Sequence, residues 1–458
     1  MIPKSNNQIL TLLFIGVLMA ALDISIVGPA IPSIESTILM NQKDLSWIFS
    51  IYVLFNLVGI SLMAKLSDYF GRRWVYITSA VIFGIGSLVV ASSKDITFLL
   101  IGRGIQGFGS SGIFPVAAAV IGDVFPVERR GRALGILGSV FAIAFMIGPF
   151  IAGVMLQYFS WNVLFLINIP VVFLIVGWGY FILPSKRMEE KLKFDFSGVI
   201  LLGIILAAFS VGINNIRLDQ LYDSLTSFPV LPLFVVAALL TPILLMLEKN
   251  TEFPVINVKL FNSRQVLLVG LIAIGLGLFQ SSIVYLPKLA VKLFDVEPYR
   301  ASFMLLPVVI AAAIGSPIGG RLVDKIGSRF IISTGMLIAT AALFLLSMIR
   351  KDMVYFYSAE GLLGLGLAIR ASLSYIMLNE VPAKERASTQ AILLIFISIG
   401  QLTGSALVGA LISTPEQGVA GFGYAFMVMG SISALLLILS FFLKERKKER
   451  AGYSKEEV

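Results

Sequence analysis

Ala64-Lys65-Leu66-Ser67-Asp68-Tyr69-Phe70-Gly71-Arg72-Arg73 recurs 256 residues later as Gly320-Arg321-Leu322-Val323-Asp324-Lys325-Ile326-Gly327-Ser328-Arg329. The Leu, Asp, Gly and final Arg coincide. The echo continues: Lys94-Asp95 matches Lys351-Asp352, and Gly104, Gly107 and Gly109 match Gly361, Gly364 and Gly366. A repeat of this length predicts two homologous halves. Each copy of the charged loop lies between apolar runs, which makes it a connection between two helices at a membrane surface.

The composition supports a membrane-spanning chain. Hydrophobic residues make up 58% of 458 positions, charged residues only 13%, and mean hydropathy is +0.94. A soluble chain is nearer a quarter charged. The apolar residues come in runs such as Ile9 to Ile31 and Ile96 to Val120, long enough to span a bilayer as helices. A transmembrane barrel would show shorter, alternating segments. The first run is too long for a signal-peptide core and lacks a clean small-residue cleavage site, so it is read as retained. Fourteen spans are predicted: 8–31, 45–64, 74–91, 96–120, 133–157, 161–183, 195–213, 228–247, 266–288, 299–320, 330–348, 354–378, 387–413 and 421–443. With the N-terminus inside, the cytoplasmic segments carry 25 Lys/Arg and the external side carries 8. That bias predicts that both termini are cytoplasmic. The net charge of +9 is thereby read as topology, not as nucleic-acid binding.

The expected fold class is an all-α membrane protein: two six-helix bundles with two inserted central helices. The boundaries are 1–183 for the first bundle, 184–264 for the insert with spans 7 and 8, 265–443 for the second bundle and 444–458 for a cytoplasmic tail. Parallel repeats of this kind build transporters whose site lies near the bilayer midplane. With no cysteine and no histidine, thiol chemistry and Cys/His metal sites are excluded, and proton chemistry falls to carboxylates. No metal site is expected. Gly102, Gly104 and Gly107 match a dinucleotide-binding spacing, but that motif needs a strand before it and an aqueous phosphate. Inside a membrane helix, packing is the better reading. The absence of a G-x-x-x-x-G-K-S/T loop argues against an ATP-driven pump.

The loop at 64–73 resembles the signature between spans 2 and 3 of the major facilitator superfamily, with Ala64 and Tyr69 as departures. The resemblance extends over essentially the whole chain. It implies a conformational-switch loop of Asp68, Gly71, Arg72 and Arg73, with Asp324, Gly327 and Arg329 as its second copy. Span 5 carries Gly138 and Gly148-Pro149-Phe150-Ile151-Ala152-Gly153, similar to the antiporter motif of drug-exporting facilitators: Gly138, Gly148, Pro149 and Gly153 are its candidates. Proline removes a helix hydrogen bond and the glycines allow close packing. The second half has Gly404 to Gly409 at the matching place without the proline. Leu22 to Pro32 in span 1, Trp47 and Tyr52 in span 2, and Phe165 to Pro170 in span 6 narrow the resemblance to the fourteen-span drug:proton antiporters. Arg103-Gly104-Ile105-Gln106-Gly107 is similar to the motif which that family associates with proton transfer. An arginine inside the bilayer is costly and needs water or a counter-charge.

An offset of 257 pairs Asp23 with Gln280 and Arg103 with Glu360, on spans 1, 9, 4 and 12. All four lie roughly 10–12 Å from the external ends of their spans at 1.5 Å per residue, so they share a layer. Asp23 is expected to neutralise Arg103 until a proton breaks the pair. The proton-coupling candidates are Asp23, Arg103 and Glu360; Gln106, Gln280 and Arg370 join them in the expected substrate cavity. Asp123 and Asp195, near cytoplasmic span ends, are read as caps or loop-orienting groups.

These features imply a proton-coupled exporter of amphipathic or lipophilic small molecules, of the multidrug-efflux type, in the cell membrane. It is expected not to be an enzyme and to need no cofactor beyond the proton gradient. Its partners are the substrate, protons and the lipid bilayer, with no nucleic acid; the chain is expected to be a monomer. The alternatives are export of one native metabolite, lipid or peptide, and a receptor or scaffold without turnover. Buried charges on four spans favour transport over a scaffold.

Overall fold

The computed structural model describes residues 6–40, 44–125, 127–184, 195–216, 221–228, 230–249, 251, 254, 258–367, 369–379, 386–412 and 418–445. Within the helices some positions are described for backbone only. Asp68, Gly138, Asp324 and Arg370 are among these, so the expectations for their surroundings lie outside the described residues, as do 185–194 of the expected insert and 446–458 of the tail.

Among the described residues the chain is helical, with no strand. The first seven helices are α1 (Asn6–Thr37), α2 (Asp44–Phe70), α3 (Arg72–Ser92), α4 (Ile96–Val124), α5 (Val127–Tyr158), α6 (Asn162–Leu166) and α7 (Asn168–Ile182). Then come α8 (Phe196–Asn214), the short α9 (Leu221–Thr226) and α10 (Leu231–Lys249). The rest are α11 (Arg264–Phe294), α12 (Pro298–Met304), α13 (Leu306–Ile326), α14 (Ser328–Ser347), α15 (Met353–Gly366), α16 (Ile369–Asn379), α17 (Arg386–Ile412) and α18 (Ala420–Ser440). Among the described residues eleven helical stretches are long and apolar enough to cross a membrane, and two shorter apolar ones are Asp44–Ile60 and Ile143–Tyr158. The expected count of fourteen goes beyond these eleven.

Two helix breaks have a local cause. α6 ends at Leu166 and α7 begins at Asn168; Pro170, four residues after Leu166, has no N–H to close the turn on its carbonyl. α12 and α13 part at Leu305 in the same way, with Pro307 at the start of α13.

The chain divides into two compact units, one of residues 1–207 with 297–303 and one of 208–296 with 304–458. Each repeats the local solutions of the other. Gly71 and Gly327 precede α3 and α14, both at φ 93°, a left-handed backbone that a side chain would strain. Asp95 caps α4 by accepting from Phe98 N at 3.0 Å, and Asp352 caps α15 by accepting from Tyr355 N at 3.0 Å. A Cβ on Gly107 would strike the carbonyl of Tyr52; one on Gly364 would strike that of Val308. In lipid, helices associate through such backbone approach rather than through a hydrophobic force. The glycines of the repeat therefore bring α4 onto α2 and α15 onto α13. Ser25 Oγ lies where a Cβ of Gly148 would fall, and Ser281 Oγ where one of Gly404 would. The same device thus seats α5 on α1 and α17 on α11.

Candidate functional site: a caged ion pair and a lone carboxylate

The first unit holds a polar cluster with no exposed surface. Asp23 of α1 and Arg103 of α4 are both fully buried, and Arg103 Nη1 donates to Asp23 Oδ2 at 2.6 Å. The aspartate's other oxygen accepts from Gln106 Nε2 at 2.9 Å and from Asn168 Nδ2 at 3.1 Å. Gln106 and Asn168 also donate to Ser87 Oγ of α3, at 2.8 and 3.0 Å. Arg103 Nη1 reaches Gln106 Oε1 at 2.8 Å, and its Nε donates to the carbonyl of Ile48 at 3.2 Å. The guanidinium carbon sits 4.3 Å from the centre of the Tyr52 ring, where ring and cation attract. Five helices supply this cage.

The sequence explains the placement. Arg103 and Gln106 are three residues apart and share a helix face. The break between α6 and α7 sets Asn168 at the start of a new helix. Sequence reasoning brought Asp23, Arg103 and Gln106 together, and the structure joins them. It missed Ser87 and the role of Asn168. The available signal was an amide and a hydroxyl within otherwise apolar spans.

Among the described residues the second unit does not reproduce the cage. The Ser25–Gly148 and Ser281–Gly404 contacts set α1 against α11 at an offset of 256, so Asp23 corresponds to Phe279 and not to Gln280 as the offset of 257 had it. Phe279 is buried. Gln280 instead accepts from Gln401 Nε2 of α17 at 2.8 Å. Glu360, the counterpart of Arg103, is fully buried in α15, and among the described residues neither carboxylate oxygen has a hydrogen-bond partner.

At the helix ends Arg72 Nε donates to Asp123 Oδ2 at 3.0 Å and its Nη1 to Ser67 Oγ at 2.7 Å. Arg73 Nε donates to the carbonyl of Leu183 at 2.8 Å. Asp123 thus ties α4 to the start of α3. Asp195 is a cap, its Oδ1 accepting from Gly198 N at 2.8 Å. In the second unit Arg329 pairs with Glu445 at 3.0 Å, just past α18. In span 5, Gly148 abuts Ser25, a Cβ on Gly153 would meet the ring of Phe303, and Phe150 lies edge-on to that ring at 5.8 Å. Pro149 lies inside α5 and denies the Phe145 carbonyl its helical donor. Pro149→Ala is expected to leave expression and unfolding temperature near wild type but slow turnover, because the local bend is lost. Flux equal to wild type at matched expression would reduce the motif to packing.

No ligand-type cluster of His, Cys, Asp or Glu able to hold a metal occurs among the described residues.

The comparisons with known proteins agree with this architecture. The sequence pattern of the Major Facilitator Superfamily matches residues 13–357 and 284–457. Multidrug transporter protein MdtP of Bacillus subtilis is 28% identical over 419 residues, covering 90% of this chain and 76% of that protein. Riboflavin transporter RibZ of Clostridioides difficile is 27% identical over 388 residues, 83% of each chain. A solved bacterial homologue of the human lysosomal transporter Spinster superposes with a TM-score of 0.68 over 96% of this chain and 97% of its own, at 15% identity, a likeness of fold. Helical repeat, matched sequence pattern and shared fold converge: the chain belongs to the Major Facilitator Superfamily, and is a multi-pass membrane transporter, not an enzyme.

Proposed function

We propose that the chain is a fourteen-span, proton-coupled antiporter that exports amphipathic or lipophilic small molecules by alternating access. The carrying observation is the Asp23–Arg103 pair. Well-packed apolar side chains would fill that volume at no greater cost in stability than a buried ion pair, so a charge pair inside a membrane bundle points to work on charges. Similarity to MdtP supports multidrug-type export. In this reading Asp23, Arg103 and Glu360 couple protons, and Gln106, Gln280 and Arg370 line the substrate path with them. The two loop copies and the span 5 motif govern the switch between states. Residues 1–183 and 265–443 are the two bundles, around the insert 184–264. The protein works as a monomer in the cell membrane, driven by the proton gradient without a cofactor.

The test is flux in proteoliposomes with an imposed pH gradient. Uphill movement of a lipophilic dye, abolished by a protonophore, is the expected result. Movement that only runs downhill, whatever the gradient, overturns antiport. A second reading, export of one native metabolite, is supported by the similarity to RibZ; it predicts flux of one compound and competition by no dye.

The positive-charge bias supports cytoplasmic placement of both termini and of the 184–194 and 248–264 loops. A membrane-impermeant lysine reagent should therefore leave Lys259 unlabelled in intact cells and label it in inverted vesicles. The reverse pattern would sink the fourteen-span topology.

A further inference from the structure

Two amides of the second unit meet near the middle of their helices. Gln280 is residue 17 of the 31 in α11, and Gln401 is residue 16 of the 27 in α17. Gln401 Nε2 donates to Gln280 Oε1 at 2.8 Å. Each side chain carries one carbonyl and one NH2 group, and this bond engages one of each. Among the described residues Gln280 Nε2 and Gln401 Oε1 have no partner. Neither atom is enclosed, and both side chains are half-buried. Exchanging oxygen and nitrogen in both amides leaves the same remainder: one donor and one acceptor on adjoining side chains.

The helices do not need this pair to stay together. α11 and α17 approach at the level of the backbone: a Cβ on Gly277 would strike the Ile397 carbonyl, and one on Gly400 the Ile274 carbonyl. Further along, Tyr285 and Ser405 join the same helices, hydroxyl to hydroxyl at 2.7 Å. At the offset of 256 that relates α11 and α17 to α1 and α5, the first unit has Ile24 and Phe145. The same helix pair thus packs there without amides. An amide pair kept only for packing would satisfy all its groups in the interior. Here the remaining donor and acceptor are left accessible. Facing hydrocarbon they would go unpaired, and polar residues at this depth turn to the bundle interior or to water instead. The pair therefore belongs on the hydrated path of a transporter.

We propose that Gln280 and Gln401 form a recognition point for a cyclic amide or imide. In such a ring an N–H and a C=O are held cis on one edge. The ligand carbonyl accepts from Gln280 Nε2, the ligand N–H donates to Gln401 Oε1, and three amides close one ring of hydrogen bonds. An open-chain amide is trans, with N–H and C=O pointing in opposite directions, and cannot bridge the pair. Ile283, half-buried and one turn beyond Gln280 on the same face, offers apolar surface to the rest of a planar lipophilic molecule. The pair carries no charge, so it selects a neutral hydrogen-bonding edge. The assignment rests on the export reading and names a substrate class for its path.

Binding to purified full-length protein tests this. The probes are naphthalimide, a planar fluorescent imide, and its N-methyl derivative, which keeps both carbonyls and loses the donor. Wild type should bind naphthalimide about tenfold more tightly, the effect of one hydrogen bond lost with its acceptor left unpaired. Gln280→Met/Gln401→Met keeps side-chain length and removes both amides together, which costs little when partners leave as a pair. In that variant the affinity for naphthalimide should fall to within about twofold of that for the N-methyl compound, because specificity is the difference between the two. Gln280→Leu/Gln401→Leu, a second variant, should behave alike. Equal affinities in wild type, binding of neither probe, or a preference that survives both double variants overturns the assignment. If the preference behaves as expected while proteoliposomes show no gradient-driven flux, the export reading fails and the recognition point stands. If flux runs without the preference, only the substrate class falls.

Discussion

Asp23→Asn and Arg103→Ala are each expected to abolish the proposed gradient-driven export and to lower the stability of the folded protein by about 3–5 kcal/mol, the usual cost of leaving one member of a buried ion pair alone. The cost is not discounted for solvent, because both side chains are fully buried. Asparagine in place of Asp23 still accepts hydrogen bonds but leaves the Arg103 cation without compensation beneath Tyr52. Alanine in place of Arg103 removes the strongest donor to Asp23 and also frees the Ile48 carbonyl and one face of Gln106. The double variant Asp23→Asn/Arg103→Gln removes both charges at once and should recover most of the lost stability while export stays absent. Thermal unfolding in detergent reports the first quantity and proteoliposome flux the second. Export at the wild-type level in Asp23→Asn would mean that the pair is scaffolding alone.

The limits of the sequence show most clearly in these same residues. Asp23 and Arg103 were legible as partners because opposite charges at one depth in an apolar layer have few other ways to be neutralised. Gly71, Gly327, Asp95 and Asp352 were legible as matched positions of the repeat; that the two glycines take a positive φ and the two aspartates cap helices is seen only in the backbone. The contribution of Ser87 and the amide of Asn168 to the cage was not legible. Which polar groups of α3 and α7 turn toward Asp23 depends on helix rotation and on the break ahead of Pro170, and apolar spans leave little periodicity from which to read rotation. Gln280 failed for a related reason. The offset between the halves is 257 from α4 to α15 but 256 from α1 to α11. One residue of slip turns a helical position by about 100°, enough to replace an expected partner of the charged layer by Phe279 and send Gln280 toward Gln401. The eleven helices that meet the length and hydropathy requirement likewise reflect composition; breaks such as that at Leu305 depend on single prolines.

Gly107→Ala should be among the most damaging small substitutions in the first unit, and Gly104→Ala, three residues away, nearly silent. A methyl group at 107 runs into the backbone carbonyl of Tyr52, whereas one at 104 finds only ordinary contact with the Phe55 ring at 3.5 Å. A side chain can rotate away from an added methyl; a carbonyl on a packed helix moves only with the helix. Overpacking of this kind costs about 1–3 kcal/mol, and more where backbone must yield. At 104 the better helix propensity of alanine, up to about 1 kcal/mol, is available to offset the contact. The functional loss at 107 should exceed the stability loss. Separating α2 from α4 withdraws two of the groups that hold Arg103, the Tyr52 ring and the Ile48 carbonyl, and both belong to α2. The second unit supplies the control. Gly364→Ala meets the Val308 carbonyl and should lose comparable stability, while Gly361→Ala, with nothing within 4 Å, should lose none. Only the variant at 107 should loosen the Asp23–Arg103 pair. Unfolding temperatures for all four variants, set beside proteoliposome flux at matched expression, separate the two effects. If Gly107→Ala unfolds and transports like Gly104→Ala, the close approach of α2 and α4 does not hold the cage together.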